Sequence, residues 1–220
     1  TILLMLMCLR NMTSIRHRYL GQDFTLKGLI GRELSQMTVG VIGTGRIGTR
    51  LISMLTGFGC RILAYAPHPN AEAKKHAEYV SLETLYRESD LITLHAPANA
   101  ETTHMINEDA LAQMKNGVIL VNTGRGALID TAALLHGLDT GKVGGAGLDV
   151  IEEESDLYYY DRREELLHHR DMALLNSYPN VVVTHHMAFY TRQCVETMVR
   201  DSVRGIVADI QGLKNPWRVC

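Results

Sequence analysis

The sequence predicts an α/β protein built on a doubly wound parallel sheet. Short β-branched runs alternate with helical segments between Thr38 and Val183, and this alternation is typical of parallel strands joined by crossover helices. The run VILV at 118–121 is apolar throughout, as expected of a strand buried on both faces. A Gly-x-Gly-x-x-Gly turn directly follows the first strand, at 43–48, and opens a helix.

The predicted elements follow one another closely, and Gly and Pro residues fall at their ends. Strands are expected at 38–43, 60–66, 90–96, 118–123, 145–150 and 180–186. Helices are expected at 46–58, 81–89, 107–114 and 130–142. Because a helix separates most pairs of consecutive strands, those strands are expected to run parallel.

Three segments lie outside this alternation. Residues 1–20 are expected to be helical and to pack an apolar run at 2–9 against the sheet. Apolar residues also recur at helical spacing from Tyr190 to about Gly212. The irregular stretch 151–180 is longer than a simple connector, and both a lid and a plain surface excursion fit it.

Composition places the chain among ordinary soluble globular proteins. It has 220 residues, 46% hydrophobic and 21% charged, with a formal net charge of −2, so nothing favours nucleic acid or an anionic membrane as a partner. The apolar run at 2–9 is far shorter than the roughly 20 residues that a membrane span needs. The cysteines form no Cys-x-x-Cys pair, which argues against disulfides and zinc and fits the cytoplasm; they are Cys8, Cys60, Cys194 and Cys220.

The glycine turn predicts a dinucleotide site. Gly43 permits the tight turn, Gly45 lets the backbone approach a pyrophosphate, and Gly48 lets helix and strand pack closely. The N-terminus of the following helix offers free N–H groups to the phosphates. A glycine turn without any ligand is the alternative.

The end of the second strand departs from the usual dinucleotide pattern. An acid is expected there to bind the ribose hydroxyls, but this strand ends Tyr65-Ala66. Without a carboxylate at Ala66, NADP(H) is predicted to be tolerated or preferred over NAD(H). His68 and Arg46 are candidate partners for a 2′-phosphate, although His68 also fits a solvent-facing turn.

Further polar groups follow the carboxyl ends of other strands, where open α/β sheets bind ligands. Asp149 ends the strand GLDV and is expected near a nicotinamide, and Arg125 stands between two glycines that would present its guanidinium. A surface salt bridge is the alternative for Arg125 alone. The other strand-end residues are His95, Ala96, Pro97, Thr123 and Gly124.

Arg125, Glu154 and His186 together suit hydride transfer to a 2-keto acid. That reaction needs a fixed cation for the carboxylate and a proton carrier for the oxygen. His186 ends the last strand, and an ionised Glu154 beside it would stabilise the imidazolium and make it a proton donor near neutral pH. A metal at His185-His186 is not predicted, because no third ligand has suitable spacing. His168 and His169 are expected on the loop surface.

The sequence resembles the D-isomer-specific 2-hydroxyacid dehydrogenases over nearly its whole length. The resemblance rests on VGVIGTGRIG, SDLITLHAPAN, HMINEDALAQMKNGVILVNTGRGALID, GAGLDV and the VTxHxAFYT pattern. LDVIEEES, a tyrosine-rich insertion and AFYT are more similar to the D-lactate dehydrogenase branch, with its VanH-type members, than to branches carrying LDVFExEP.

The resemblance implies a role for each matched residue. Arg125 would hold the substrate carboxylate, His186 would be the acid and base, and Glu154, five residues after the aspartate of LDV, would pair with it. Glu152 and Glu153 would then have no catalytic role. Phe189 would lie near the substrate, and the cofactor contacts would be Arg46, Ile47, Ala96, Pro97, Thr123 and Asp149.

Two features depart from the family pattern. His185 stands where the family usually has proline. The chain also begins at what resembles the interdomain helix, so we expect the N-terminal substrate-binding lobe to be missing. The predicted organisation is an interdomain helix at 1–20, a dinucleotide-binding domain at 21–185 and a C-terminal helix at 186–220 that returns toward that lobe.

Two functional hypotheses follow. The first is an oxidoreductase that reduces pyruvate or a similar 2-keto acid to the D-2-hydroxy acid with NAD(P)H. The second is a catalytically idle nucleotide-binding dimer or a cofactor-sensing partner protein, similar to the C-terminal-binding-protein corepressors. In either case, apolar residues on the first and last helices predict a homodimer through the nucleotide-binding domains.

Overall fold

In the part of the chain that the structure describes, seven parallel strands form a single sheet in the order β3-β2-β1-β4-β5-β6-β7. Strands β2 and β3 are added on one side of β1, and β4 to β7 are added on the other side. This order confirms the predicted doubly wound topology, with its switch point between β1 and β4. The strands are β1 (Thr38–Ile42), β2 (Arg61–Tyr65), β3 (Glu78–Tyr79), β4 (Leu91–Leu94), β5 (Val118–Asn122), β6 (Val143–Leu148) and β7 (Val181–Val183).

The computed structural model describes residues 1–165 and 168–218, and of Asp156 only the backbone. The chain divides into two compact units, Thr1–His185 and His186–Cys220. Cys220 itself lies outside the described residues. The helices are α1 (Ile2–Leu9), α2 (Met12–Leu20), α3 (Arg46–Leu55), α4 (Leu82–Glu88), α5 (Glu108–Gln113), α6 (Thr131–Asp139), α7 (Arg170–Ser177) and α8 (Arg192–Ile210).

Side-chain caps fix where several helices begin. Ser81 accepts a hydrogen bond from Thr84 N at the start of α4, and Asn107 accepts one from Ala110 N at the start of α5. Asp130 accepts from both N–H groups of Ala132 and Ala133 and so begins α6. Such caps satisfy backbone donors that the first helical turn leaves free.

Helices cover both faces of the sheet, and an apolar layer fills the space on each side. One layer includes Met5 of α1 and Ile52 of α3, and the other includes Leu85 of α4 and Leu134 of α6. All residues of β4 and β5 are buried, including the polar Thr93 and Asn122, and the apolar run at 118–121 predicts this for β5.

Three local features differ from the sequence-based expectation. Residues 2–20 form two helices, because Asn11 adopts a left-handed conformation (φ 51°) that ends regular helix. The stretch 151–180 contains α7, and His169 is no plain surface residue, since its ring accepts from Met172 N at the start of that helix. Leu166 and Leu167 of the same stretch lie outside the described residues. Strand β3 was not predicted, because two residues leave no alternation to detect.

The second unit consists mainly of α8, whose range, Arg192–Ile210, is nearly that of the amphipathic segment predicted from Tyr190 to about Gly212. Within it, Asn215 donates a hydrogen bond to the carbonyl of Gly205 (3.1 Å) and packs the C-terminal turn against α8. Among the described residues, no helix is both long and apolar enough to cross a membrane.

Candidate active site

The glycine turn after β1 has the geometry of a dinucleotide cradle. Gly43 has φ 93°, and a Cβ there would lie 2.5 Å from the carbonyl carbon of His95. A Cβ on Gly48 would lie 2.0 Å from the Gly43 oxygen, so both positions exclude side chains. Gly45 faces open space and is the N-cap of α3, which has no side-chain cap hydrogen bond among the described residues. This combination fits a cofactor pyrophosphate, which would accept hydrogen bonds from backbone N–H groups at the N-terminus of α3.

The structure brings several predicted strand-end segments together at one edge of the sheet. His95 N bonds the carbonyl of Ile42 (2.7 Å), and Asp149 N bonds the carbonyl of Asn122 (2.9 Å). A Cβ on Gly124 would lie 3.2 Å from the carbonyl oxygen of Leu94. The segments holding Ala96 and Pro97, Thr123, and Asp149 therefore border the same crevice, next to the glycine turn.

Asp149 is a buried carboxylate held by its neighbours. It is only 2% exposed, and Thr184, just after β7, donates its hydroxyl proton to Oδ1. Thr123 Oγ1 lies 2.8 Å from Thr1 Oγ1, so the start of the chain also reaches this edge. Such hydrogen bonds offset the loss of hydration that a buried polar group suffers.

His95 is a neutral imidazole beside the glycine turn. Burial lowers the pKa of His95 to about 4, and its Nε2 lies 3.0 Å from Thr93 Oγ1. The ring is thus fixed and uncharged at neutral pH. The His95 ring therefore contributes to the packing of the glycine turn and carries no charge there.

The backbone of the turn that carries Arg125 is held by hydrogen bonds, and the Arg125 side chain is exposed. Buried Asn122 donates through Nδ2 to the carbonyl of Arg125 (2.8 Å) and accepts from Gly124 N (3.0 Å). A Cβ on Gly126 would lie 2.1 Å from the carbonyl oxygen of Ile151, so the segment after β6 packs directly on the turn. The Arg125 side chain is exposed, with Nη1 donating to the Gly124 carbonyl (2.8 Å). Its guanidinium is therefore exposed, on the turn that follows β5, and bonds a neighbouring backbone carbonyl.

Glu154 lies on the same segment that packs on the Arg125 turn. Its Oε2 accepts a hydrogen bond from Ile151 N (2.9 Å), and the side chain is partly buried. The carboxylate is thus held against its own backbone, three residues from the contact with Gly126.

His186 begins the second unit and has an unusual backbone conformation. Its φ is 52°, in the left-handed region where few residues other than glycine occur. Its ring packs edge-on against Phe189, with 6.4 Å between ring centroids. Such strained conformations cluster at functional sites. The two other proposed catalytic residues, Arg125 and Glu154, belong to the first unit.

The end of β2 carries no acid, as the sequence indicates. Ala66 is partly buried and His68 is exposed. The hydroxyl of Tyr79 on β3 donates to Thr44 Oγ1 (2.8 Å) and accepts from Asn70 N (2.9 Å). This tyrosine, which the sequence did not single out, joins the glycine turn to the segment where a cofactor ribose would lie.

Tyr158 is a second residue that the sequence did not single out. It is 6% exposed, and its hydroxyl has no hydrogen-bond partner among the described residues. Burial, followed by the nearby carboxylates of Glu154 and Asp149, raises the pKa of Tyr158. Its hydroxyl therefore stays protonated within electrostatic reach of both carboxylates.

Fold and site together define a Rossmann-type dinucleotide-binding protein with an arginine at the crevice. The chain belongs to the D-isomer-specific 2-hydroxyacid dehydrogenases: the family model described as "D-isomer specific 2-hydroxyacid dehydrogenase, NAD binding domain" matches residues 2–188. This finding confirms the resemblance drawn from the sequence motifs.

Individual relatives give the same family. The chain is 43% identical over 203 residues to a D-specific alpha-keto acid dehydrogenase of Enterococcus faecalis, covering 92% of this chain and 62% of that protein. It is 43% identical over 200 residues to an aromatic 2-oxoacid reductase of Clostridium sporogenes, covering 90% and 60% respectively. The structure of D-lactate dehydrogenase with NAD+ from Lactobacillus jensenii superposes with a TM-score of 0.90 at 32% identity, covering 100% of this chain and 66% of that one.

The chain therefore spans about 60% of the length of these two curated relatives. The matched part is the NAD-binding domain that the family model describes.

Proposed function

We propose that this protein is a D-2-hydroxyacid dehydrogenase that reduces a small 2-keto acid, using a nicotinamide cofactor. The observation that carries the proposal is the Arg125 turn, which presents a guanidinium at the carboxyl edge of the sheet beside the glycine cradle. An arginine there can bind a carboxylate through two parallel hydrogen bonds.

The proposed mechanism divides the reaction among three side chains. A nicotinamide cofactor held at the glycine turn would supply a hydride for the carbonyl carbon. Arg125 binds the substrate carboxylate and fixes the orientation of the keto group. His186 donates a proton to the carbonyl oxygen, so that the ketone becomes a hydroxyl, and Glu154 stabilises the imidazolium before the proton leaves.

A steady-state assay tests the proposal. Pyruvate should drive oxidation of NADH or NADPH, followed by the loss of cofactor absorbance, and the product should be D-lactate by chiral analysis. Cofactor binding without turnover on any 2-keto acid would refute the proposal and favour the cofactor-sensing alternative.

Pyruvate is the first substrate that we propose. The D-lactate dehydrogenase from Lactobacillus jensenii supports it, while the relative from Clostridium sporogenes reduces aromatic 2-oxoacids. Comparing kcat/KM for pyruvate with that for phenylpyruvate separates the two substrate classes. A higher kcat/KM for phenylpyruvate would contradict the proposal of D-lactate dehydrogenase activity and favour reduction of aromatic 2-oxoacids.

The cofactor proposed is NAD(H), with NADP(H) accepted as well because Ala66 puts no carboxylate beside the ribose. Ala66→Asp is expected to raise the Kd for NADPH about tenfold or more and to lower that for NADH. The new carboxylate would repel a 2′-phosphate and accept hydrogen bonds from free ribose hydroxyls. Fluorescence titration with each cofactor measures both constants.

Ala71→Asp is the matched control for this prediction. Ala71 is exposed and lies five residues further along the same segment, so it introduces the same charge away from the strand end. Equal effects of the two substitutions on NADPH binding would contradict the role given to Ala66.

We also propose a homodimer through the first unit. The last residue of α2 and the segment after it expose four large apolar side chains, and Ile30 is 92% exposed. An apolar stretch of this kind is typical of a protein interface; its residues are Leu20, Phe24, Leu26 and Ile30. Leu26→Asp combined with Ile30→Asp is expected to convert a dimer into a monomer in sedimentation velocity. A wild-type chain that sediments as a monomer would rule the dimer out.

A further inference from the structure

Glu152 is the centre of a hydrogen-bonded cluster in the first unit. Its Oε1 lies 2.6 Å from His104 Nε2, and its Oε2 accepts from Thr131 N (3.0 Å) and Thr131 Oγ1 (2.6 Å). Its backbone carbonyl accepts from His169 Nε2 (3.1 Å). We call these four residues the Glu152 clamp. It joins the segment after β6 to the loop before α5, to the first turn of α6 and to the start of α7.

The contacts of the clamp are electrostatically consistent. Oε2 receives an N–H at the N-terminus of α6, where the helix dipole favours a negative charge. His169 accepts from Met172 N through Nδ1 (3.1 Å), so its proton is on Nε2 and faces the Glu152 carbonyl. Each polar atom that the clamp uses therefore has a matching partner.

The two titratable side chains of the pair stabilise each other's charge. The hydrogen bond that His104 donates to Glu152, with a further contribution from Asp130 at the start of α6, raises the pKa of His104 above its ordinary 6.5. Burial opposes ionisation of Glu152, but bonds from Thr131 and His104 outweigh it and lower the pKa of Glu152 below its ordinary 4.5. Both side chains are thus charged at pH values between the lowered pKa of Glu152 and the raised pKa of His104. The ion pair is lost as the pH rises through the raised pKa of His104.

The clamp acts on the segments that carry the two proposed catalytic residues of the first unit. A Cβ on Gly126 would lie 2.6 Å from Glu152 N, so the backbone at Glu152 lies directly on the Arg125 turn. His104 N donates to the carbonyl of Ala127 (2.8 Å), on the other side of that turn. Glu154 follows Glu152 by two residues.

We propose that Glu152 is a positioning residue. Its bonds to His104 and to the first residue of α6 hold the Arg125 turn and the Glu154 segment in fixed relative positions. The proposal rests on the proposed function, because it assigns those two segments to substrate binding. A role in capping α6 alone would stabilise the fold without favouring substrate binding over cofactor binding.

Kinetics of the whole chain with pyruvate and NADH separate these roles. Glu152→Ala is expected to raise KM for pyruvate about tenfold, since small displacements of a binding group have large effects, with a smaller change in kcat and none in KM for NADH. Glu152→Gln keeps an oxygen for Thr131 and should recover part of the loss. Glu153→Gln, which removes a charge from the exposed neighbouring residue, should behave as wild type.

The pH dependence gives a further readout. In wild type, KM for pyruvate should rise as the pH passes upward through the raised pKa of His104. That rise should be absent in His104→Asn, which cannot carry the charge. Equal changes in the KM of pyruvate and NADH in Glu152→Ala, or a KM for pyruvate that matches Glu153→Gln, would overturn the proposal.

Hydrogen–deuterium exchange tests the clamp without turnover. Glu152→Gln should increase amide exchange at 123–129 and at 151–157, relative to Glu153→Gln. If wild type turns over no 2-keto acid, the proposed function fails, and exchange still decides whether the clamp orders both segments. Unchanged protection at 123–129 would overturn it.

Discussion

His186→Ala is expected to lower kcat/KM for 2-keto acid reduction by about a thousandfold, and to leave the Kd for NADH unchanged. A positioned general acid typically contributes between about a hundredfold and ten-thousandfold. His185 and His186 both lie in the segment just after β7. The left-handed backbone at His186 (φ 52°) fixes the direction in which its side chain leaves the chain. Steady-state kinetics and a fluorescence titration measure the two quantities.

His185→Ala is the matched control for His186→Ala. His185 precedes His186 directly, and its ring lies edge-on to Tyr158, with 6.4 Å between ring centroids. The family usually has proline at this position, so loss of the imidazole should leave kcat within a few-fold of wild type. Activity that survives in His186→Ala but is lost in His185→Ala would show that the two neighbours had been assigned in the wrong order.

Most of the sheet could be predicted from the sequence because its strands have strong patterns. Apart from Thr93 and Asn122, the residues of β4 and β5 are apolar, as expected of strands buried on both faces. Strand β3 could not be predicted, since its two residues are a strand only through pairing with Leu63 and Ala64 of β2. The break at Asn11 was missed for a related reason: one left-handed residue interrupts the helix without changing its apolar pattern.

The candidate site shows the same division between local and distant information. The glycine turn and the residues after β5 and β6 could be placed from the sequence, because parallel strands end at the same edge of a sheet. The Glu152 clamp could not, because His104 lies 48 residues away and Thr131 lies 21 residues away. Among the three consecutive glutamates, only the family alignment separated Glu154 from its neighbours, and only the contacts gave Glu152 a role.

Arg125→Gln is expected to raise KM for the 2-keto acid about a hundredfold. Loss of one partner from a hydrogen-bonded charge pair costs about 2–5 kcal/mol, and each tenfold change in affinity corresponds to about 1.4 kcal/mol. Asn122 holds the backbone of the turn rather than the guanidinium, so the turn should keep its shape in the variant. Steady-state kinetics at saturating NADH measure the change, and Arg87→Gln on the exposed face of α4 is the control for loss of a positive charge.

Arg125→Lys separates charge from geometry at the same position. Lysine keeps the positive charge but cannot form two parallel hydrogen bonds to one carboxylate. If Arg125 both attracts and orients the substrate, the lysine variant should recover part of the KM that the glutamine variant loses, while its kcat falls below that of wild type, because an unoriented keto group reaches the hydride less often. A lysine variant with the kcat of wild type would limit Arg125 to attraction, and a glutamine variant with an unchanged KM would remove it from the substrate site altogether.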